Sequence, residues 1–166
     1  MKNNLHGFTL VELMVAITII AILTAVLSAN FSDARAQSRD KARLTSLKEL
    51  QLAVELYKAQ NDSYPDAGCG ASDSDFADES CDDYISNLVP DFIAELPNDP
   101  SGAEAGKGFQ YRSDGNSYKI LVSETVELDT VSEGDEYARC PNADTCFGGS
   151  IPTKTYAVYS LGAENW

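Results

Sequence analysis

From Leu13 to Phe31 the chain carries no charge, and neither Gly nor Pro interrupts it. Nothing else in the sequence restricts the fold as much. As a helix this stretch is roughly 28 Å long, close to the hydrocarbon thickness of a bilayer. It is read as a membrane-spanning helix. Immediately before it stands one carboxylate, Glu12, four residues past Phe8 and with apolar residues on both sides. A carboxylate at helical depth in lipid costs about 2.5–3.5 kcal/mol, so Glu12 needs a partner or a purpose.

A secretory signal places its basic and apolar regions before a small-residue cleavage site. Here the order is inverted. Met1 to His6 holds one basic residue, Lys2, and the small residue Gly7 precedes the apolar run. Cutting after Gly7 releases a short polar leader and leaves the apolar helix on the mature chain. The alternative on these residues alone is an uncleaved single-pass anchor. Gly7-Phe8-Thr9-Leu10-Val11-Glu12, running into the apolar helix, resembles the N-terminus of type IV pilins and type II secretion pseudopilins. That resemblance implies cleavage between Gly7 and Phe8 by a membrane-embedded prepilin peptidase and N-methylation of Phe8. It also implies an assembly role for Glu12.

Past Phe31 the helical pattern continues. Leu44, Leu47, Leu50, Val54 and Tyr57 make an apolar stripe, and no Gly or Pro occurs between Gly7 and Pro65. One helix from Phe8 to Asn61 is expected, apolar all round in its first half and amphipathic in its second. Asn61-Asp62-Ser63-Tyr64-Pro65 stops it, because Pro disfavours helix in the residue before it. The expected organisation is a leader over 1–7, a core helix over 8–31 and an amphipathic half over 32–61. A globular head follows over 62–166, loop-rich to residue 108 and β-sheet from 109.

Charge is unevenly placed. From Ala59 onward there are 21 acids against 5 bases, a net −16. An acidic head excludes counterion-displacing nucleic-acid binding and suits an extracytoplasmic surface. Residues 33–58 hold six bases, Arg35, Arg39, Lys41, Arg43, Lys48 and Lys58, against four acids. That segment reads as facing anionic headgroups or an acidic neighbour, or else as a solvated helix face. Lys and Arg are richer after the apolar run than before it. Alone, the positive-inside rule thus places the head in the cytoplasm. The four cysteines argue for an oxidising compartment, and the head is assigned to the outside.

Between Asp66 and Gly108 a short helix is expected around Asp83 to Leu88, within the apolar set Tyr84, Ile85, Leu88, Phe92, Ile93 and Leu96. Leu96-Pro97-Asn98-Asp99-Pro100 resembles a segment of the major pseudopilin of type II secretion. The two prolines make it a rigid turn. An aromatic residue usually follows in that family, whereas Ser101-Gly102 follows here. Phe109 and Tyr111, a turn at Asp114-Gly115, then Tyr118, Ile120 and Val122 mark a hairpin. A third strand is expected over Thr155 to Leu161. The tyrosines read as half-buried sheet residues rather than a ligand platform. An amphipathic helix on a small antiparallel sheet is an α+β fold.

The cysteines, Cys69, Cys81, Cys140 and Cys146, lack the spacing of a zinc knuckle. Four cysteines allow three connectivities, and loop-closure entropy favours Cys69–Cys81 with Cys140–Cys146. Asp73 and Asp75 lie in an acidic run whose oxygen ligands suit calcium. Tyr159-Ser160-Leu161-Gly162-Ala163-Glu164 resembles the segment leading into the calcium loop of major pseudopilins, with Glu164 where an Asp commonly stands. No other cofactor is expected. His6 is the one histidine and leaves with the leader, and no phosphate-binding glycine loop is present, so no enzyme is expected.

The resulting expectation is a structural subunit of a type IV pilus-like filament, either a pilin or the major pseudopilin of type II secretion. It starts as a single-pass protein of the cytoplasmic membrane and ends in an extracytoplasmic filament. The resemblance implies partners: further copies of itself, related minor subunits, the peptidase, and a platform and ATPase that drive assembly. The alternative is a monomeric membrane-anchored extracytoplasmic binding protein.

Overall fold

The computed structural model describes residues 8–72, 75–102, 104–146 and 148–166, with side chains at 26–30 not described. The chain divides into two compact units, Met1–Ala36 and Gln37–Trp166. Helix α1 runs Leu10–Asn61, 52 residues, as the absence of Gly and Pro anticipates.

In the first unit the large apolar side chains from Leu10 to Leu23 are all 51–74 % exposed. The hydroxyls among them are satisfied within the helix. Thr18 Oγ1 donates to the carbonyls of Val15 at 2.8 Å and Met14 at 3.1 Å, and Thr24 Oγ1 donates to Ile20 at 2.7 Å. Back-bonding of this kind lets a hydroxyl enter an apolar setting without a missing partner. Among the described residues no helix is long and apolar enough to cross a membrane. The charge-free run read from the sequence includes residues 26–30, whose side chains lie outside those described.

In the second unit a four-stranded antiparallel sheet packs on the helix. Its strands are β1 Ala77–Asp78, β2 Gly108–Ser113, β3 Tyr118–Ser123 and β4 Tyr156–Tyr159, in the order β1-β2-β3-β4. The α+β class stands. Phe109 pairs with Val122, Tyr111 with Ile120, and Val158 with Ile120. These alternate positions therefore share the face that meets Leu47, Leu50, Ala53 and Val54 in one core cluster. The hairpin turn is held by Asp114 Oδ1, which accepts from the amides of Asn116 at 2.9 Å and Ser117 at 2.7 Å. At the helix end Asp62 takes a positive φ of 62° and its amide closes on Lys58 O at 3.0 Å, a left-handed cap.

Tyr84, Tyr111, Tyr118 and Tyr156 are buried in the core, while Tyr159 is half-buried as expected. Tyr84 donates to Pro97 O and Tyr111 to Pro65 O, both at 2.8 Å, while Tyr118 donates to Glu55 Oε1 at 2.9 Å. Each buries a ring and gives its hydroxyl a partner.

The helix expected over Asp83 to Leu88 is absent. Tyr84, Ile85 and Leu88 are buried as their apolarity requires, but by a chain that pairs with another segment. Gly68 N bonds Tyr84 O at 3.1 Å, Ser86 N bonds Asp66 O at 3.0 Å, and Ala67 bridges to Ile85. Asn87, at φ 59°, then turns the chain. A periodicity over six residues is too short to outbid these cross-chain bonds. The two-residue β1 and the 3-10 turn Ala143–Thr145 also lacked a signal in the sequence.

Gly68 is required by close approach, since a Cβ there stands 1.6 Å from the carbonyl oxygen of Asp83. Gly68→Ala is expected to separate these two segments and cost about 1–3 kcal/mol. Denaturant unfolding of the full chain in detergent measures it, and an unchanged midpoint counts against the pairing.

Candidate functional site

The N-terminal site is built around the helix start. Gly7 lies outside the described residues, and Phe8 is 90 % exposed. Glu12 Oε2 accepts from Thr9 N at 2.9 Å and Thr9 Oγ1 at 2.8 Å, while Glu12 N donates to Thr9 Oγ1 at 3.2 Å. This is a capping box: Thr9 caps the first turn, and Glu12 reaches back to the cap residue's amide. The Thr-x-x-Glu spacing signals it in the sequence. Glu12 therefore meets Thr9 within its own chain, one oxygen engaged in the cap. Its side chain is held by these bonds to Thr9.

The polar centre of the head is Arg43, whose side chain is 0 % exposed. Its Nε and Nη2 meet the two oxygens of Asp99, both at 2.8 Å, a bidentate fork. Nη1 donates to Asp40 Oδ1 at 2.7 Å and Glu127 Oε1 at 3.0 Å, and Nη2 also reaches Ser101 Oγ at 2.5 Å. Arg39 forks onto Glu127 in turn, at 2.6 and 2.5 Å. Asp40 accepts from the amides of Glu127 at 3.0 Å and Leu128 at 2.8 Å. Under Asp99 lies Glu79, whose Oε2 accepts from the amides of Asp99 and Phe109, both at 2.9 Å. Gly108 leaves room for that carboxylate, since a Cβ there comes within 2.5 Å of it.

These contacts shift the acids as their surroundings dictate. Burial pushes Asp99 up, but the hydrogen bonds from Arg43 and others outweigh it and bring Asp99 down to about 2. The Arg39 guanidinium above all, with Arg43, holds Glu127 at about 2 against its own desolvation. Desolvation dominates at Glu79 and raises it.

Arg43 was legible only as one of six bases on a helical segment. Of the readings open for that segment, Arg39 and Arg43 take the acidic neighbour. The overlooked signal is phase. Arg43 is four residues before Leu47 and seven before Leu50, so it continues the buried stripe. Asp99, read as the rigid turn of its motif, is also the counter-charge. Ser101, where the family usually has an aromatic residue, supplies an acceptor to Arg43.

Cys69 is bonded to Cys81 and Cys140 to Cys146, with Cα separations of 6.3 and 5.3 Å. Of the calcium candidates, Asp73 lies outside the described residues. Asp75 Oδ2 accepts from Ser72 Oγ at 2.6 Å, and Glu164 Oε2 accepts from Gly162 N at 2.8 Å. Among the described residues no group of three or more His, Cys, Asp or Glu side chains is arranged to hold a metal.

Residues 2–28 match the prokaryotic N-terminal methylation motif. Over 74 % of its length the chain is 30 % identical to the type II secretion system core protein G of Dickeya chrysanthemi, covering 77 % of that protein. The chain belongs to the family of type IV pilins and type II secretion pseudopilins. It is also 43 % identical to the type IV wide pilus major component PilA4 of Thermus thermophilus, over 37 % of this chain and 47 % of that one. The type IV major pilin protein PilA of Myxococcus xanthus is 32 % identical over 68 % of this chain and 53 % of its own length. The chain thus spans about half the length of these two pilins and about three quarters of the core protein G relative. No solved structure matches it.

The clasp sets an acid limit on this pilin-family head. Asp99 and Glu127 ionise lower when folded than their ordinary 3.8 and 4.5, so the stability they contribute is complete above those values. It is lost as pH falls from there toward about 2. Glu79 works in the opposite sense, taking up its proton earlier in the folded chain. The denaturation midpoint is expected to fall across that range. Arg43→Met should cost about 3–5 kcal/mol at neutral pH, because Asp99 is left buried without its partner. It should also flatten the acid dependence, and unfolding curves at several pH values read both.

Proposed function

We infer that this chain is a structural subunit of a type IV pilus-like filament, a pilin or the major pseudopilin of type II secretion. The observation that carries the reading is the helix starting directly behind the Gly7-Phe8 junction. From Leu10 to Leu23 it exposes every large apolar side chain. A continuous apolar surface of that kind needs lipid or other copies of itself to cover it. In the membrane the segment acts as the anchor. In the filament the same surface packs against identical segments and supplies cohesion by burial. Exposed Leu52 and Leu56 add further apolar surface on the helix of the head unit.

In this reading prepilin peptidase cuts after Gly7, the new Phe8 amine is methylated, and a platform with its ATPase extracts the subunit from the cytoplasmic membrane. The head then lies outside the cytoplasm, where both disulfides persist. Glu12 retains its capping bonds to Thr9 and offers its second oxygen to the Phe8 amine of a neighbouring subunit. Such a pair in a low-dielectric core fixes axial register, because a wrong register leaves both charges unpaired. The role is structural rather than catalytic and requires no cofactor. The matches to core protein G and to the Myxococcus major pilin both extend into the head, which supports a filament subunit of either form.

Two variants test this reading. Gly7→Val places a branched side chain in a protease subsite built for Gly, and mass spectrometry of membranes should find only precursor with its leader. Normal processing removes the cleavage argument. Glu12→Val should be inserted and cleaved yet accumulate in the membrane, with filament yield after shearing lowered at least about tenfold. Filaments at normal yield sink the pairing role, and absence of filaments from the wild-type chain with its assembly machinery supports the monomeric binding protein.

A further inference from the structure

Lys119 lies in the middle of β3, between Arg112 of β2 and Tyr159 of β4 in cross-strand register. Those positions belong to the sheet face opposite Tyr118 and Ile120, and so away from α1. A lysine on such a face ordinarily runs its ammonium out to water. Here the whole residue is 0 % exposed. Nζ donates to the main-chain oxygens of Ala163 at 3.1 Å, Glu164 at 3.0 Å and Trp166 at 3.0 Å. Three protons thus meet three oxygens, with the Tyr159 ring 4.7 Å away on another side.

Tight turns bring those oxygens together. Ala163 N closes on Ser160 O and Trp166 N on Ala163 O, both at 3.2 Å. Gly162 sits at φ 100°, and its amide is held by Glu164 Oε2. Ser117 Oγ donates to Leu161 O at 3.0 Å, and the Arg112 guanidinium lies 4.1 Å from the centre of the Trp166 ring. A convergent set of carbonyl oxygens is a donor set for a hard cation.

We propose that residues 160–166 form a cation site which the chain fills with its own Lys119 ammonium, tethered in the place of a free ion. The ammonium closes the turn onto the sheet, and the turn seals the ammonium from water. Around it Arg139 and Arg112 disfavour the charged form and Glu164 favours it. Burial first, and then those two cations, push Lys119 down to about 7. A further external cation would have to displace Nζ from the three oxygens it already occupies. The inference is independent of the filament reading.

Trp166 is the one tryptophan of the chain, so its emission reports this turn apart from the rest of the head. In the full chain in detergent, Lys119→Met should red-shift that emission and speed amide exchange in residues 162–166 at least about tenfold, while both disulfides stay closed. Lys119→Ala removes the length of n-propylammonium. Adding n-propylammonium should restore the wild-type emission, whereas uncharged n-propanol should not. Calcium or potassium chloride should leave wild-type emission and exchange unchanged. Wild-type behaviour of Lys119→Met overturns the proposal, as does equal rescue by n-propanol, which assigns the residue to packing. So does a calcium-induced shift in the wild type that Glu164→Gln abolishes, which assigns the turn to a metal. Should both variants fail to fold, amine acetylation of the wild type decides. Lys119 should react at least about tenfold more slowly than Lys107, and equal rates overturn the cage.

Discussion

The head depends on one buried guanidinium. Arg43 brings three stretches of chain to one point: its own helical turn with Asp40, the proline-bounded turn at Asp99 and Ser101, and the strand exit at Glu127. A buried ion pair is weak evidence for net stability, because desolvation consumes most of the attraction. What it gives is selectivity among arrangements. Sliding the helix by one turn against the sheet leaves Leu47, Leu50 and Val54 apolar contacts of a similar kind, whereas it strands a charge at position 43. Asp40 extends the constraint by binding the amides of Glu127 and Leu128, groups that no strand partner takes up. Register in this head is therefore written in charge, and cohesion in the tyrosine-rich core.

The large features were legible because they repeat. The helix from Leu10 to Asn61 follows from an unbroken pattern, and β2 and β3 follow from alternation about Asp114-Gly115. What stayed hidden involves single residues acting across the chain. Nothing local to Asp99 says that an arginine 56 positions away will fork onto it. The segment at Asp83–Leu88 differs from its expected helix for the same reason: its apolar spacing suits a helix, and only the distant partners Asp66 and Gly68 decide otherwise. Glu12 is the reverse case. Thr9 and Glu12 form a local pair with the spacing of a capping box, a signal that the surrounding apolar run masks.

The buried cations Arg43 and Lys119 find their partners inside the head. From Ala59 onward the five bases face 21 acids, and the fully buried Lys119 meets the main-chain oxygens of Ala163, Glu164 and Trp166. Arg43 likewise draws its partners inward. The surface thus keeps most of the negative charge, and like heads brought side by side repel one another over about a Debye length. Attraction between subunits has to come from elsewhere. The exposed apolar side chains between Leu10 and Leu23 provide it without directional preference. Non-directional cohesion alone gives aggregates. In the filament proposed above, a single orientable group such as Glu12, fixed by its bonds to Thr9, is the element that gives the adhesive surface a defined axial step.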